Sequence, residues 1–321
     1  MAAPAAEVDP RTSGPHLDLL CYFRSPKATL RKLRADWAEA LGESPAAAVQ
    51  RLADLGLLEP VALDSKLDRT QTVAELRAHL KARALPTSGN KPALVARLVA
   101  ADETGAAALV STFDAYDCTM AGEELARLRI DAVAELKAAA VEQSRSRIRA
   151  GDYAAAMDVA CRFESSHKLQ QHYPDLPFAI RDTRDPVEAM IAFATGRPKL
   201  FGKLPEETWE ALRVAAAMDQ LWGGWLMRWL PEGVERIGRF SASAAYVMLG
   251  AHAKNKADRA MAKRIGQSRA TLSGAARCCA PCQAFADKAA PIDDLPELPN
   301  PVCVNEDGCR CVMRLQISFG E

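Results

Sequence analysis

No sign of charge dominates this 321-residue chain: 41 Lys and Arg stand against 41 Asp and Glu. A whole-molecule field that draws in nucleic acid or an anionic membrane is thereby excluded, and a polyanion has to be met by a local patch. Aromatic residues are few, at 6% of the sequence. No apolar run approaches the ~20 residues that carry a helix across a bilayer. The stretch MAAPAAEVDPRTSGP has no basic region followed by an apolar core, so it does not read as a secretory signal, and residues 1–16 read as a disordered tail. Histidine is scarce, and His16, His79, His167, His172 and His252 form neither an HxxxH nor an HNH arrangement. There is no GxxxxGK[ST] loop, no glycine-rich dinucleotide turn around the isolated Gly122 and Gly151, and no His-x-Glu pairing of the deaminase kind. A hidden nuclease is left with Asp182, Asp185 and Glu188 as conceivable metal ligands. A loop-to-helix start at Asp185-Pro186 explains those three more simply.

What is present is apolar periodicity, mostly helical. The 49% apolar fraction suits sizeable cores, and the length suits two or three domains. Within residues 17–63, LDLLCYF reads as one short helix. Thr29 to Leu41 reads as a second, with Leu30, Leu33, Trp37 and Leu41 at helical spacing. Ser44-Pro45 starts a third, which Gly56 ends, and Leu57 to Val61 reads as a short strand. Three helices followed by Gly-Leu-Leu-Glu resemble a winged helix-turn-helix domain; the alternative is a plain helical bundle. Arg31, Lys32, Arg34 and Arg51 give this segment a basic, solvated face. Asp64 to Arg69 reads as a charged linker.

The densest signal lies at Thr72 to Leu98. Thr72 and Glu75 have capping-box spacing, and Val73, Leu76, Leu80 and Leu85 form an apolar stripe. Pro86 breaks the helix, Ser88-Gly89 turns the chain, and Leu94, Val95 and Leu98 line a second helix. The series Leu76, Leu80, Leu85-Pro86, Ser88-Gly89, Lys91, Leu94 and Arg97-Leu98 resembles the SAP module, a small helix-turn-helix unit that binds DNA. The resemblance implies a module over residues 64–101. It also implies phosphate contacts through Lys81, Arg83, Lys91 and Arg97, with the backbone N–H groups of Ser88, Gly89 and Asn90 at a helix N-terminus. Ala84 departs from the pattern: the family usually has Gly there, in a left-handed conformation that Ala adopts only at a cost.

Beyond Leu98 the helix is expected to fray into ADETG, and residues 102–275 read as a helical region. Gly122 to Arg149 is a long amphipathic pattern. Gly151-Asp152-Tyr153 starts another helix, and the pair resembles a single tetratricopeptide-type hairpin without a repeated copy. Pro205 opens a helix that leads into Trp222, Trp225 and Trp229. With Trp209 these form either a dense core or a base-stacking platform. Ser241 to Met261 is a further helix, with Lys254, Lys256, Arg259, Lys263 and Arg264 near its C-terminal end, where cations suit the helix dipole.

Cys21, Cys118 and Cys161 are scattered, but six cysteines crowd into residues 276–321. Cys279-x-x-Cys282 has knuckle spacing. Cys309-x-Cys311 precedes Val312, Leu315 and Ile317, so two sulfurs on an extended chain face one side. Four thiolates from these pairs can hold structural Zn2+, with Cys303 and Cys278 as further candidates; disulfides are the alternative. The paired spacing resembles zinc-ribbon and knuckle modules. The order CxxC, Pro-rich loop, Cys-Arg-Cys also resembles the tail of phage Mu-type head-morphogenesis proteins, although the His-Pro-Asn that usually precedes Cys-Arg-Cys there is missing. The expectation is thus a mainly α, multi-domain chain with a small zinc-binding β/loop tail. It binds double-stranded DNA, offers a helical platform for protein partners, crosses no membrane and works at a cytoplasmic nucleoid. A DNA-targeted nuclease and a phage-derived assembly protein are the alternatives.

Overall fold

The computed structural model describes residues 8–169, 186–274, 279–285 and 288–315. Contacts divide them into two units. The first holds residues 8–137 with 167–169; the second holds 138–166 and the described residues from 186 onward.

In the first unit, α1 (Gly14–Phe23) has Pro in its first turn and buries Leu19, Leu20 and Phe23. The single helix expected from Thr29 to Leu41 is instead a 3-10 turn at Leu30–Lys32 and a short α2 (Asp36–Leu41), parted by an extended Leu33. The break follows from packing. The Tyr22 hydroxyl donates to the Thr29 carbonyl at 2.9 Å and accepts from the Thr29 N–H at 3.2 Å, holding Thr29 extended, while Trp37 goes fully into the core. Ser44 caps α3 (Pro45–Asp54) as expected, accepting from the Ala47 N–H at 3.2 Å.

Strand β1 (Leu58–Pro60) follows. Its partner is β2 (Tyr116–Cys118), antiparallel with Leu58 opposite Cys118, so the ladder closes only after a long excursion of chain. That excursion carries α4 (Leu63–Thr70), α5 (Val73–Ala82), α6 (Lys91–Ala101) and α7 (Glu103–Leu109). Two expectations are corrected here. The charged stretch Asp64 to Arg69 is helix α4, because Leu63 and Leu67 sit one turn apart and Leu67 is fully buried. The ADETG stretch does not fray: the Asp102 carboxylate accepts the Gly105 N–H at 2.8 Å and starts α7. Leu67, Leu76, Leu80, Leu94, Val95, Leu98, Ala106 and Val110 form one core, so the packed module reaches beyond Ala101.

Helix α8 (Met120–Arg149) begins directly beneath β1. Thr119 donates to the Leu57 carbonyl from its N–H at 3.1 Å and to the Gly56 carbonyl from its hydroxyl at 2.6 Å. A Cβ on Gly122 would stand 2.0 Å from the Leu57 carbonyl oxygen, so no larger residue fits that approach.

The second unit contains the C-terminal part of α8, α9 (Tyr153–Ser166), α10 (Pro186–Thr195), α11 (Glu206–Trp222) and α12 (Ala242–Arg264). Trp209, Trp222 and Trp229 are buried, which makes the tryptophan-rich stretch chiefly core; Trp225 is exposed. A hairpin of β3 (Arg236–Ile237) and β4 (Phe240–Ser241) delivers Ser241 as the cap of α12, accepting from the Ala244 N–H at 3.1 Å.

The tail folds as β5 (Arg269–Ser273), α13 (Ala280–Gln283), β6 (Ala290–Pro291) and β7 (Val312–Leu315), with the strands in the antiparallel order β6-β5-β7. One face of α12 clasps it. His252 Nδ1 lies 3.1 Å from the Leu298 carbonyl oxygen, and Asn255 Oδ1 accepts the Leu298 N–H at 3.2 Å. Arg259 donates to the carbonyls of Ile292 at 2.9 Å and Leu295 at 2.8 Å. Arg259 therefore belongs to this clasp. The chain is mainly helical with a few small sheets, as its periodicity predicts.

Candidate nucleic-acid interface and thiol cluster

The helix-turn-helix is built from local rules. Thr72 Oγ1 accepts the Glu75 N–H at 3.2 Å, and the Glu75 carboxylate accepts the Thr72 N–H at 2.7 Å, completing the capping box. The Thr72 N–H holds the Glu75 carboxyl below its ordinary pKa. Helix α5 ends where Ala84 takes φ +56°. The Leu85 N–H reaches the Leu80 carbonyl at 2.9 Å and the Ala84 N–H the Lys81 carbonyl at 3.0 Å, the two bonds of a Schellman ending. Asn90 caps α6 by accepting the Ala93 N–H at 3.2 Å. Gly89 has φ +121°, and a Cβ there would approach the Ala93 Cβ to 3.3 Å, so both backbone and space call for glycine.

The cations expected to face phosphate have varied positions. Arg97 turns inward to the turn itself, donating to the Pro86 carbonyl at 2.5 Å and the Ser88 carbonyl at 2.9 Å. Arg83 pairs with Asp102 at 2.7 Å and donates to the His79 carbonyl at 3.2 Å. The Asp102 carboxyl is held below its ordinary pKa, first by the Gly105 N–H and then by Arg83. Lys91 Nζ donates to the Asp68 carbonyl and lies 3.5 Å from the Asp68 carboxylate. Lys81 is exposed and makes no ion pair among the described residues. Arg77, one turn earlier on the same face of α5, shares that condition. Its i, i+4 spacing from Lys81 is the signal that would have found it.

Ser88, Gly89 and Asn90 are exposed, and their N–H groups donate to no backbone carbonyl among the described residues. With the Ser88 carbonyl held by Arg97, the turn presents free donors beside the positive end of α6, a ready anion site.

In the tail, Cys279 and Cys282 sit at the start and in the body of α13, where the Cys282 N–H donates to the Cys279 carbonyl at 2.9 Å. Cys303 follows a turn closed by its N–H on the Asn300 carbonyl at 2.9 Å, and Cys309 and Cys311 precede β7. The loop after β6 thus brings all five toward one place. Their sulfurs form two triads rather than one tetrad: Cys279, Cys282 and Cys303, and Cys282, Cys309 and Cys311. Within each triad the sulfurs lie within 4.8 Å of one another.

Cys282, Cys303, Cys309 and Cys311 are buried, and Cys279 is half-buried. Cys279 Sγ is 3.5 Å from Cys303 Sγ, and Asn300 Nδ2 donates to Cys282 Sγ at 3.5 Å. Burial pushes the Cys282 and Cys303 thiols up to about 12. A hydrogen bond from Cys311 pulls Cys309 down to about 5. A divalent cation bound here would deprotonate the thiols and offset the charge of the resulting thiolates. The donor set is thus one that can hold a metal ion.

Cys278, His172, Asp182, Asp185 and Ile317 lie outside the described residues, while Glu188 sits exposed in the first turn of α10.

Residues 70–103 match the family model of the SAP domain. The module between β1 and β2 therefore contains a SAP domain, a family feature that suggests nucleic-acid binding. Comparison with curated proteins and with solved structures returns no match, and nothing in these comparisons supports the phage-type resemblance of the tail. No helix among the described residues is long and apolar enough to cross a membrane.

Proposed function

We propose that the chain binds double-stranded DNA through its SAP domain, by weak contacts to the phosphate backbone, and that the tail carries structural Zn2+. The observation that carries the DNA reading is the match at residues 70–103, on a turn whose N–H groups at Ser88 to Asn90 are free and exposed. Arg77 and Lys81 supply charge on α5. Lys91 and Arg83 are held by partly exposed ion pairs worth ~0–1 kcal/mol, which a phosphate can displace. Arg97 sets the shape of the turn and adds its charge from within.

A site this small gives affinity in the range of non-specific binding, Kd ~10⁻⁴–10⁻⁶ M at physiological salt. A second contact surface or self-association raises it by effective concentration. The second unit serves as a platform for protein partners, and the setting is a nucleoid or equivalent DNA-rich compartment.

The test is a salt titration of full-length chain on duplex DNA. The reading predicts a log–log slope of about −2 to −4, at roughly −0.9 per neutralised phosphate. It also predicts at least a tenfold loss of affinity in an Arg77→Ala/Lys81→Ala variant. A flat salt dependence, or unchanged affinity in that variant together with Lys91→Ala, removes the SAP domain as the contact surface.

A further inference from the structure

A tetrahedral zinc with Zn–S bonds of ~2.3 Å holds its sulfurs roughly 3.8 Å apart. Four thiolates on one ion are therefore all mutual neighbours. The tail does not show that pattern. Its five described sulfurs divide into two triads, and the triads meet at a single atom, Cys282 Sγ. Cys279 and Cys303 stand on one side of it, Cys309 and Cys311 on the other.

The chain places Cys282 to be shared. It lies in α13, in the same turn as the knuckle partner Cys279, and is buried like Cys303, Cys309 and Cys311. Asn300, itself buried, aims its amide at the Cys282 sulfur at 3.5 Å and fixes its own carbonyl on the Val302 N–H at 3.2 Å. A donor to sulfur stabilises negative charge on it and orients its remaining lone pairs.

Charge gives the second argument. Four thiolates fill the tetrahedron of one divalent ion, leave two uncompensated negative charges and strand the fifth thiol without a role. Five thiolates around two ions leave one charge and use every sulfur. Buried charge without a partner is costly, and the Arg239 guanidinium donates to the Cys303 carbonyl rather than to a sulfur.

Building on the metal-binding reading of the tail, we infer that this cluster is a dinuclear site for zinc-class divalent ions in which Cys282 is the bridging thiolate. One ion takes Cys279, Cys282 and Cys303; the other takes Cys282, Cys309 and Cys311. The fourth position on each ion is filled by a donor outside these five sulfurs. Each coordinating thiol gives up its proton to solvent as the ion binds, with no change of oxidation state.

The experiment is metal counting on the full-length chain, purified from zinc-supplemented medium without chelators, by elemental analysis and native mass spectrometry. The expected result is two zinc per chain, and two resonances in cadmium-113 NMR after cadmium exchange. Cys303→Ser and Cys311→Ser are each expected to keep one ion, and Cys282→Ser to lose both. Because Cys282→Ser can also fail to fold, the wild-type count and the cadmium spectrum decide independently of it. One zinc per chain with a single cadmium resonance overturns the dinuclear site and leaves the metal-binding reading standing. No bound metal overturns both; iron accompanied by inorganic sulfide overturns the dinuclear site and the zinc assignment while leaving the thiols as metal ligands.

Discussion

The Arg97 guanidinium lies 2.9 Å from the Ser88 carbonyl oxygen, so a cation expected to face DNA instead grips the turn of its own module. Replacing it by Ala frees two loop carbonyls and removes charge-assisted bonds worth ~1.5–3 kcal/mol. Arg97→Ala is therefore expected to lower the unfolding midpoint of the chain. Arg77→Ala and Lys81→Ala leave stability within ~0.5 kcal/mol but each reduce the DNA salt slope by about 1. Denaturant unfolding and salt titration on the same three variants separate the roles. Equal stability in all three contradicts this assignment.

Ala84 sits at φ +56°, where a Cβ costs roughly 1–2 kcal/mol. Ala84→Gly gives back some of this through greater freedom of the unfolded chain. The expected net is a gain of about 0.5–1 kcal/mol with DNA affinity unchanged. A loss of stability in this variant would show that the turn does not need the left-handed residue.

Asn300 is expected to matter to the metal without touching it. Asn300→Ala removes the amide from Cys282 Sγ, and outer-shell losses of this kind weaken metal affinity by roughly 10–100-fold. Competition against a chromophoric chelator measures this directly. An unchanged zinc affinity rules the amide out as a support.

His252 gives the second unit a pH dependence. Its side chain is buried, and burial pulls its pKa below the ordinary value. Lys256 acts in the same direction, while the hydrogen bond to the Leu298 carbonyl and the Glu297 carboxylate 3.3 Å away oppose it. The unfolded chain takes up that proton near pH ~6.5, before the folded chain does. The stability linked to His252 is thus fully present above that pH and is lost as pH falls through the folded-state value. His252→Asn, which cannot titrate, is expected to flatten the fall in urea midpoint between pH 7.5 and 5. Tryptophan fluorescence reports mostly on this unit, which holds Trp209, Trp222, Trp225 and Trp229 against Trp37 in the first. Parallel wild-type and variant curves contradict the linkage.

The caps and stripes of the SAP domain were legible because they are local: Thr72 with Glu75, Leu76 with Leu80, and Gly89 in its turn are each decided within a few residues. Helix α4 was hidden because charges at Asp64, Lys66, Asp68 and Arg69 masked the Leu63–Leu67 pair. Helix α7 was hidden because Asp102 was read as fraying rather than as a cap. The β1–β2 ladder pairs residues too far apart for a pattern to show. The cysteine spacing pointed to a donor set that could hold a metal ion, but its division into triads depends on how the chain before Cys303 returns. Charge at Arg97 and Arg259 was visible, yet sequence does not say whether a guanidinium meets phosphate or a carbonyl of its own chain.

The short ladder between β1 and β2 has a further consequence. The Val61 N–H donates to the Ala115 carbonyl at 3.2 Å, and Arg69 locks onto Asp117 with two bonds of 2.8 and 2.7 Å. The segment that holds the SAP domain therefore departs and returns through one doorway, like a bead on a closed loop. Joining Val61 to Ala115 through an Asn-Gly turn would turn the doorway into an ordinary hairpin. The remaining chain is expected to fold without the SAP domain and to keep the thiol cluster, which makes that domain a transplantable part; loss of the proposed DNA contact in the shortened chain is measured by the same salt titration.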